Sequence, residues 1–160
     1  MEKPLDNCLE ELRRSPLLQL SRTVVLLKAG VRRAFTAEGH DITPEQWGVL
    51  HRLQEGQGLS QGYLAQSVSK DKTTMVRILD SLESRGLVER KRDSKDRRSF
   101  RIYLTEEGRA VWAKLVPVVA RFNGQVFSQV NERDLLAVVQ VLDAITDKLG
   151  GQECGCQHLE

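Results

Sequence analysis

Between Arg85 and Arg101 the chain carries eight basic residues, Arg85, Arg90, Lys91, Arg92, Lys95, Arg97, Arg98 and Arg101, against three acidic ones, Glu89, Asp93 and Asp96. This segment is +5 within a chain whose net charge is +2, so the remainder sums to about −3. Cations gathered on so short a stretch make an electrostatic footprint for a polyanion. A merely solubilising loop would account for the charge but not for its sign. A second set lies just upstream: Lys70, Lys72, Thr73 and Thr74, with Arg77 one helical turn further on. A guanidinium can fork onto guanine or onto phosphate. A threonine hydroxyl can serve either a phosphate or a base, and its methyl can touch thymine. A solvated helix face with a threonine-rich first turn is the plainer alternative for this set alone; beside the basic hairpin, contact with double-stranded DNA is the expectation.

Other chemistries find little support. Gly56-Gln57-Gly58 is too short to cradle a phosphate and reads as a helix exit. His40, His51 and His158 have no ligand spacing, and no Ser/His/Asp or Cys/His set stands out, so neither an enzyme nor a metal or cofactor site is expected. Cys154-Gly155-Cys156 is a weak metal signal in a tail, and the three cysteines (Cys8 is the other) lie near the chain ends, unlike a secreted disulfide scaffold. Cys8 reaching Cys154 or Cys156 on oxidation leaves a thiol-based redox regulator as an alternative. Aromatic residues make up only 5% of the chain, too few for a single-strand stacking platform. Arg32, His40, Trp47, His51 and Trp112 form a candidate pocket for a small aromatic or phenolic effector, although Trp47 and Trp112 can equally be core residues.

The elements that must position these residues are marked by their punctuation. Ser15-Pro16 opens a long helix with Leu17, Leu20, Val24, Leu27, Val31 and Ala34 on one stripe, ending near Gly39. Thr43-Pro44-Glu45-Gln46 opens a second helix, with Gln46 placed to complete a capping box, and Trp47, Leu50 and Leu53 on its inner face. Ser60 caps a third, with Leu64, Ala65 and Val68 inward. Ser69 or Asp71 caps a fourth, which buries Met75 (or Val76), Leu79 and Leu82 and stops at Gly86. Phe100, Ile102 and Leu104 alternate with Arg101 and Tyr103, so this run is a strand with one apolar face, and Leu87–Arg92 is its expected partner. Thr105, followed by Glu106 and Glu107, starts a fifth helix, which Pro117 should bend. Asn131 starts the last, with Leu135, Val138, Leu142, Ile145 and Leu149 at coiled-coil spacing.

The fold class expected is mainly α (an α+β winged helix): six helices and a β-hairpin wing. The expected divisions are residues 1–40 (N-terminal extension and first dimerisation helix), 41–104 (winged helix-turn-helix DNA-binding lobe), 105–150 (C-terminal dimerisation helices) and 151–160. The last is a flexible tail, in which Leu159-Glu160 reads as a cloning remnant. Hydrophobic residues are 40% of the chain, and the terminal stripes have few partners within it, so a second copy is expected to cover them. No apolar run approaches the roughly 18–20 residues that span a bilayer, and MEKPLDNCLEELRRS lacks a signal-peptide core, so the chain reads as cytoplasmic.

Residues 59–111, LSQGYLAQSVSKDKTTMVRILDSLESRGLVERKRDSKDRRSFRIYLTEEGRAV, resemble the MarR family of bacterial winged helix-turn-helix regulators. The resemblance is carried by the LESRGLVER helix exit, the DRR of the wing tip and the LTEEGR start of the following helix, in that order and spacing. It implies an obligate homodimer on a pseudo-palindromic operator, with repression relieved by a small ligand or by oxidation. In that scheme Lys70, Lys72, Thr73, Thr74 and Arg77 lie on the recognition helix in the major groove. Arg98 enters the minor groove. Asp96 braces the wing arginine, and Arg90, Lys91, Arg92, Lys95 and Arg97 are phosphate partners or solvated charge. Some members sense peroxide through a cysteine at the start of the first long helix; Pro16–Leu20 here contains none. A winged-helix protein-interaction module is the remaining alternative, though a docking wing has no need of a +5 hairpin.

Overall fold

A computed structural model of the chain describes residues 10, 12, 13, 15–93 and 99–149. The chain divides into two compact units, Met1–Pro44 and Glu45–Glu160.

The first unit is built on helix α1 (Pro16–Ala37). Ser15 caps it, its Oγ accepting from the Leu17 N–H at 3.3 Å, and Pro16 occupies a first-turn position that needs no N–H donor. The helix closes where Gly39 N–H donates to the Thr36 carbonyl and His40 N–H to that of Phe35. Of its apolar stripe Leu17 (67%) and Val24 are exposed and Leu20, Leu27, Val31 and Ala34 half-buried, while Leu18, Val25 and Leu26 are exposed beside it.

The second unit holds the helix-turn-helix and the wing. Helix α2 (Pro44–Glu55) begins at the boundary and buries Gln46, Val49, Leu50 and Leu53. Gln46, whose spacing suits a capping box, also reaches across to α4 (Lys72–Ser84), its Nε2 donating to Ser81 Oγ at 3.0 Å. Helix α3 (Gln61–Ser67) is capped by Ser60, as expected. It closes through Ser69, whose φ of 51° is left-handed, with Lys70 N–H donating to the Ala65 carbonyl at 2.8 Å. Ser69 therefore ends α3, and Asp71 is the residue that starts α4. The Asp71 carboxylate accepts from the Thr74 N–H at 2.8 Å and from the Thr74 hydroxyl at 2.6 Å. Met75, Leu79 and Leu82 on α4 are fully buried, while Val76 is 39% exposed, so Met75 is the inward residue of that pair.

A three-stranded antiparallel sheet follows, in the order β1-β3-β2. Strand β2 (Val88–Arg92) pairs with β3 (Phe100–Leu104) in the register Val88 to Leu104 and Arg92 to Phe100. The short β1 (Leu59–Ser60), which two residues give no periodicity to announce, pairs with Ile102 and Arg101 on the other side of β3. Ile102 and Leu104 are buried, but Phe100, expected on the same apolar face, is 44% exposed because it lies where the hairpin leaves the core. Gln57 ties the helical and sheet layers together: its Nε2 donates to the Leu53 carbonyl at 2.7 Å and its Oε1 accepts from the Leu104 N–H at 3.0 Å.

Helix α5 (Glu106–Val126) runs uninterrupted through Pro117, and α6 (Glu132–Lys148) has no buried residue. The start of α5 sits directly on the wing. Thr105 Oγ1 accepts from the Gly108 N–H at 3.0 Å and donates to the Gly86 carbonyl at 2.7 Å. Gly86 itself has φ of 69°, the left-handed turn that ends α4. A β-carbon on Gly108 would stand 2.0 Å from the Leu87 carbonyl oxygen, so the LTEEGR glycine is required by close approach of helix and strand backbones. Gly108→Ala is therefore expected to destabilise the fold by roughly 1–3 kcal/mol or more, read as a lowered denaturation midpoint; an unchanged midpoint would contradict this packing.

The cap of α4 has its own test. Hydrogen bonds to the Asp71 carboxylate, the Thr74 hydroxyl's first and the Thr74 N–H next, favour its charged form and lower its pKa. A depressed native pKa means the cap contributes fully above the unfolded-state value and is lost as pH falls through the lower, folded one. In an NMR titration the Thr74 amide should therefore report a midpoint below that of aspartate in a peptide of the same composition. The Asp71→Asn variant should keep the helix start and lose this titration.

Candidate nucleic-acid interface

The three buried residues of α4 determine what its other side offers. With Met75, Leu79 and Leu82 inward, the helical period turns Lys72, Thr73, Val76, Arg77 and Asp80 outward, and all five are exposed. Among the described residues no ion pair holds Lys72 or Arg77. Thr74 is half-buried, and its hydroxyl donates to Asp71, so it serves the helix cap. Lys70 lies in the turn before α4, its Nζ 3.6 Å from Glu45 Oε1. The outward face thus presents a primary amine, a hydroxyl, an apolar side chain and a guanidinium in its first two turns.

The wing root is more neutral than its sequence suggests. Arg90 is only 18% exposed; one guanidinium nitrogen lies 2.7 Å from Asp80 Oδ1 and another pairs with Glu83 Oε2. Lys91 is 2.6 Å from Glu89 and 4.9 Å from the centre of the Tyr103 ring. Arg101 Nε donates to Asp93 Oδ2 at 2.5 Å, and its NH1 to the Gly58 carbonyl at 3.3 Å. Asp93 is buried, and its N–H donates to the Ser99 carbonyl, extending the hairpin one step beyond the strand ladder. Arg92 is exposed and, among the described residues, holds no ion pair. A cleft of about 390 Å³ opens here, lined by Gln57, Gly58, Arg92, Asp93, Arg101 and Tyr103 among others. Lys95, Asp96, Arg97 and Arg98 lie outside the described residues, as do Cys8, Cys154 and Cys156.

The candidate effector residues fall into two groups. In the second unit Trp47 stacks on His51 with centroids 5.1 Å apart and planes at 6°, and His51 on Trp112 at 6.2 Å and 15°. Trp112 Nε1 donates to His51 Nδ1 at 3.3 Å, and His51 Nε2 is 3.6 Å from Glu55 Oε1. Trp47 thus lies over a face of His51, and Trp112 meets its edge through that hydrogen bond. In the first unit Arg32 is bonded to Asp41 at 2.7 Å, and His40 closes α1 through its backbone.

Sequence reasoning missed Asp80, Glu83, Gln57 and Ser81. Asp80 and Glu83 are spaced three apart on α4, a signal for a shared helix face. Nothing in the sequence says that Arg90 on β2 meets them. Gln57 sat inside a segment read only as a helix exit.

Residues 40–99 match the family model described as MarR family. The Escherichia coli O127:H6 transcriptional regulator HosA is 33% identical over 78 residues, which is 49% of this chain and 58% of HosA, so the chain spans little more than half of that relative. Among solved structures, the transcriptional repressor CouR bound to a 23-mer DNA duplex superimposes with a TM-score of 0.77 at 27% identity, over 91% of this chain and 99% of CouR. Bordetella bronchiseptica BpsR, whose DNA binding is regulated by 6-hydroxynicotinic acid, shares the fold with a TM-score of 0.76 at 23% identity, over 83% of this chain and 94% of its own. Sequence over residues 40–99, which matches the MarR family model, thus agrees with a fold shared with CouR over nearly the whole chain.

Proposed function

We propose that this chain is a sequence-specific, double-stranded-DNA-binding transcriptional regulator that acts as a homodimer on a pseudo-palindromic operator. The observation that carries the reading is the outward face of α4, where Lys72, Thr73 and Arg77 stand exposed while the opposite face is fully buried. A recognition helix meets base edges with such N-terminal residues, and the arginine and lysine add the charge that phosphates attract. Arg92 at the wing root, with Lys95, Asp96, Arg97 and Arg98 at its tip, extends the contact toward the minor groove.

Dimerisation belongs to the same reading. Helix α6 exposes Leu136, Val138, Val139, Val141, Leu142 and Ile145, and α1 exposes Leu17, Val24 and Val25. Apolar surface on this scale favours burial against a partner. Residues 1–40 and 105–150 then form the dimer base and 41–104 the DNA-binding lobe. The regulator is a repressor that a small aromatic or phenolic effector releases. The reading assigns it no catalysis and a cytoplasmic setting; no helix among the described residues is long and apolar enough to cross a membrane.

Selection of bound duplexes from a random library tests this directly and should return a two-fold-symmetric site. Affinity for that site should fall steeply with salt, because each neutralised phosphate releases counterions. Arg77→Ala should weaken binding by about 1–3 kcal/mol if it forks onto guanine, with preference lost at one base pair per half-site. A monomeric protein whose duplex binding is absent or indifferent to salt would sink the proposal.

A further inference from the structure

Arg90 belongs to the basic hairpin by sequence, yet its surroundings are unlike those of a phosphate contact. Its guanidinium forks between two carboxylates of α4, Asp80 at 2.7 Å and Glu83, and its backbone N–H donates to the same Glu83 at 3.3 Å. Its side chain is 18% exposed, against 57% for Lys91 on the same strand. Planar, five-donor arginine can hold two carboxylates at once, and lysine cannot reproduce that fork. Asp80 and Glu83 in turn lie on the second half of α4, where bare carboxylates would repel a DNA backbone.

We infer that Arg90 is a positioning residue which fixes the wing root to the second half of the recognition helix and makes no phosphate contact of its own. This rests on the DNA-binding reading above. Two elements that touch adjacent grooves must keep a fixed spacing, because a free hinge between them would lose entropy on binding. The fork supplies that restraint and offsets one of the two negative charges it bridges.

The test is equilibrium binding of the full chain to its selected duplex across a salt series. Arg92→Gln, a phosphate contact in this scheme, should flatten the log–log salt dependence by about 0.9. Arg90→Gln should weaken binding roughly tenfold at every salt concentration and leave that slope unchanged. Arg90→Lys, which keeps the charge, should lose nearly as much. The double variant Asp80→Asn/Glu83→Gln should also weaken binding, although removing two negative charges near DNA would by electrostatics alone tighten it.

A flattened slope for Arg90→Gln, recovery by Arg90→Lys, or tighter binding by the double variant would each overturn the inference while leaving the regulator reading intact. Should Arg90→Gln fail to fold in a thermal melt, the lysine and carboxylate variants decide, since the sign of their effect does not depend on it. A wild-type chain that ignores every duplex overturns the regulator reading, and this inference with it.

Discussion

Three side chains, Met75, Leu79 and Leu82, decide which way α4 faces. Each is fully buried, and each such burial contributes on the order of 1.5–3 kcal/mol. Against that, leaving Val76 39% exposed is a small loss. A helix turns about 100° per residue, so a different inward set would swing Lys72, Thr73 and Arg77 off the outward face. Everything that α4 offers to a ligand follows from that buried stripe.

The stripe orients the helix about its axis, and other contacts hold it along its length. Asp71 caps its start, and Gln46 on Ser81 and the fork from Arg90 hold its second half. Beyond its end, Thr105 ties the Gly86 carbonyl to the first turn of α5. Helix α4 is therefore restrained by side chains from α2, β2 and the start of α5. Most of these are hydrogen bonds of modest individual strength. Their value lies in geometry: together they hold one face of α4 rigid.

Much of this was legible in the residue order. Five of the six helix starts carry their signals openly, and Ser15, Ser60, Thr105 and Asn131 cap the helices they precede. The alternation at Ile102 and Leu104 named the wing strand. Ambiguity remained where two neighbours both fitted: Ser69 or Asp71 as cap, Met75 or Val76 as core. Local rules rank such pairs poorly, because both members satisfy the same short-range criterion. Packing against α3 and the sheet chose between them. Phe100 went the other way from its pattern, since period-two alternation does not say where along a strand the core stops.

By itself the sequence determined where five of the six helices begin, that one hairpin is basic, and which family its centre resembles. These are properties of neighbours along the chain, written in spacing and charge. Only the tertiary structure decided which cations stand free. Arg90 meets Asp80 and Glu83, and Arg101 meets Asp93 and Gly58, while Lys72, Arg77 and Arg92 meet no opposite charge among the described residues. Such partnerships depend on strand register and on the angle between helix and hairpin, and residue order encodes neither. Charge counts along a sequence; neutralisation happens in space.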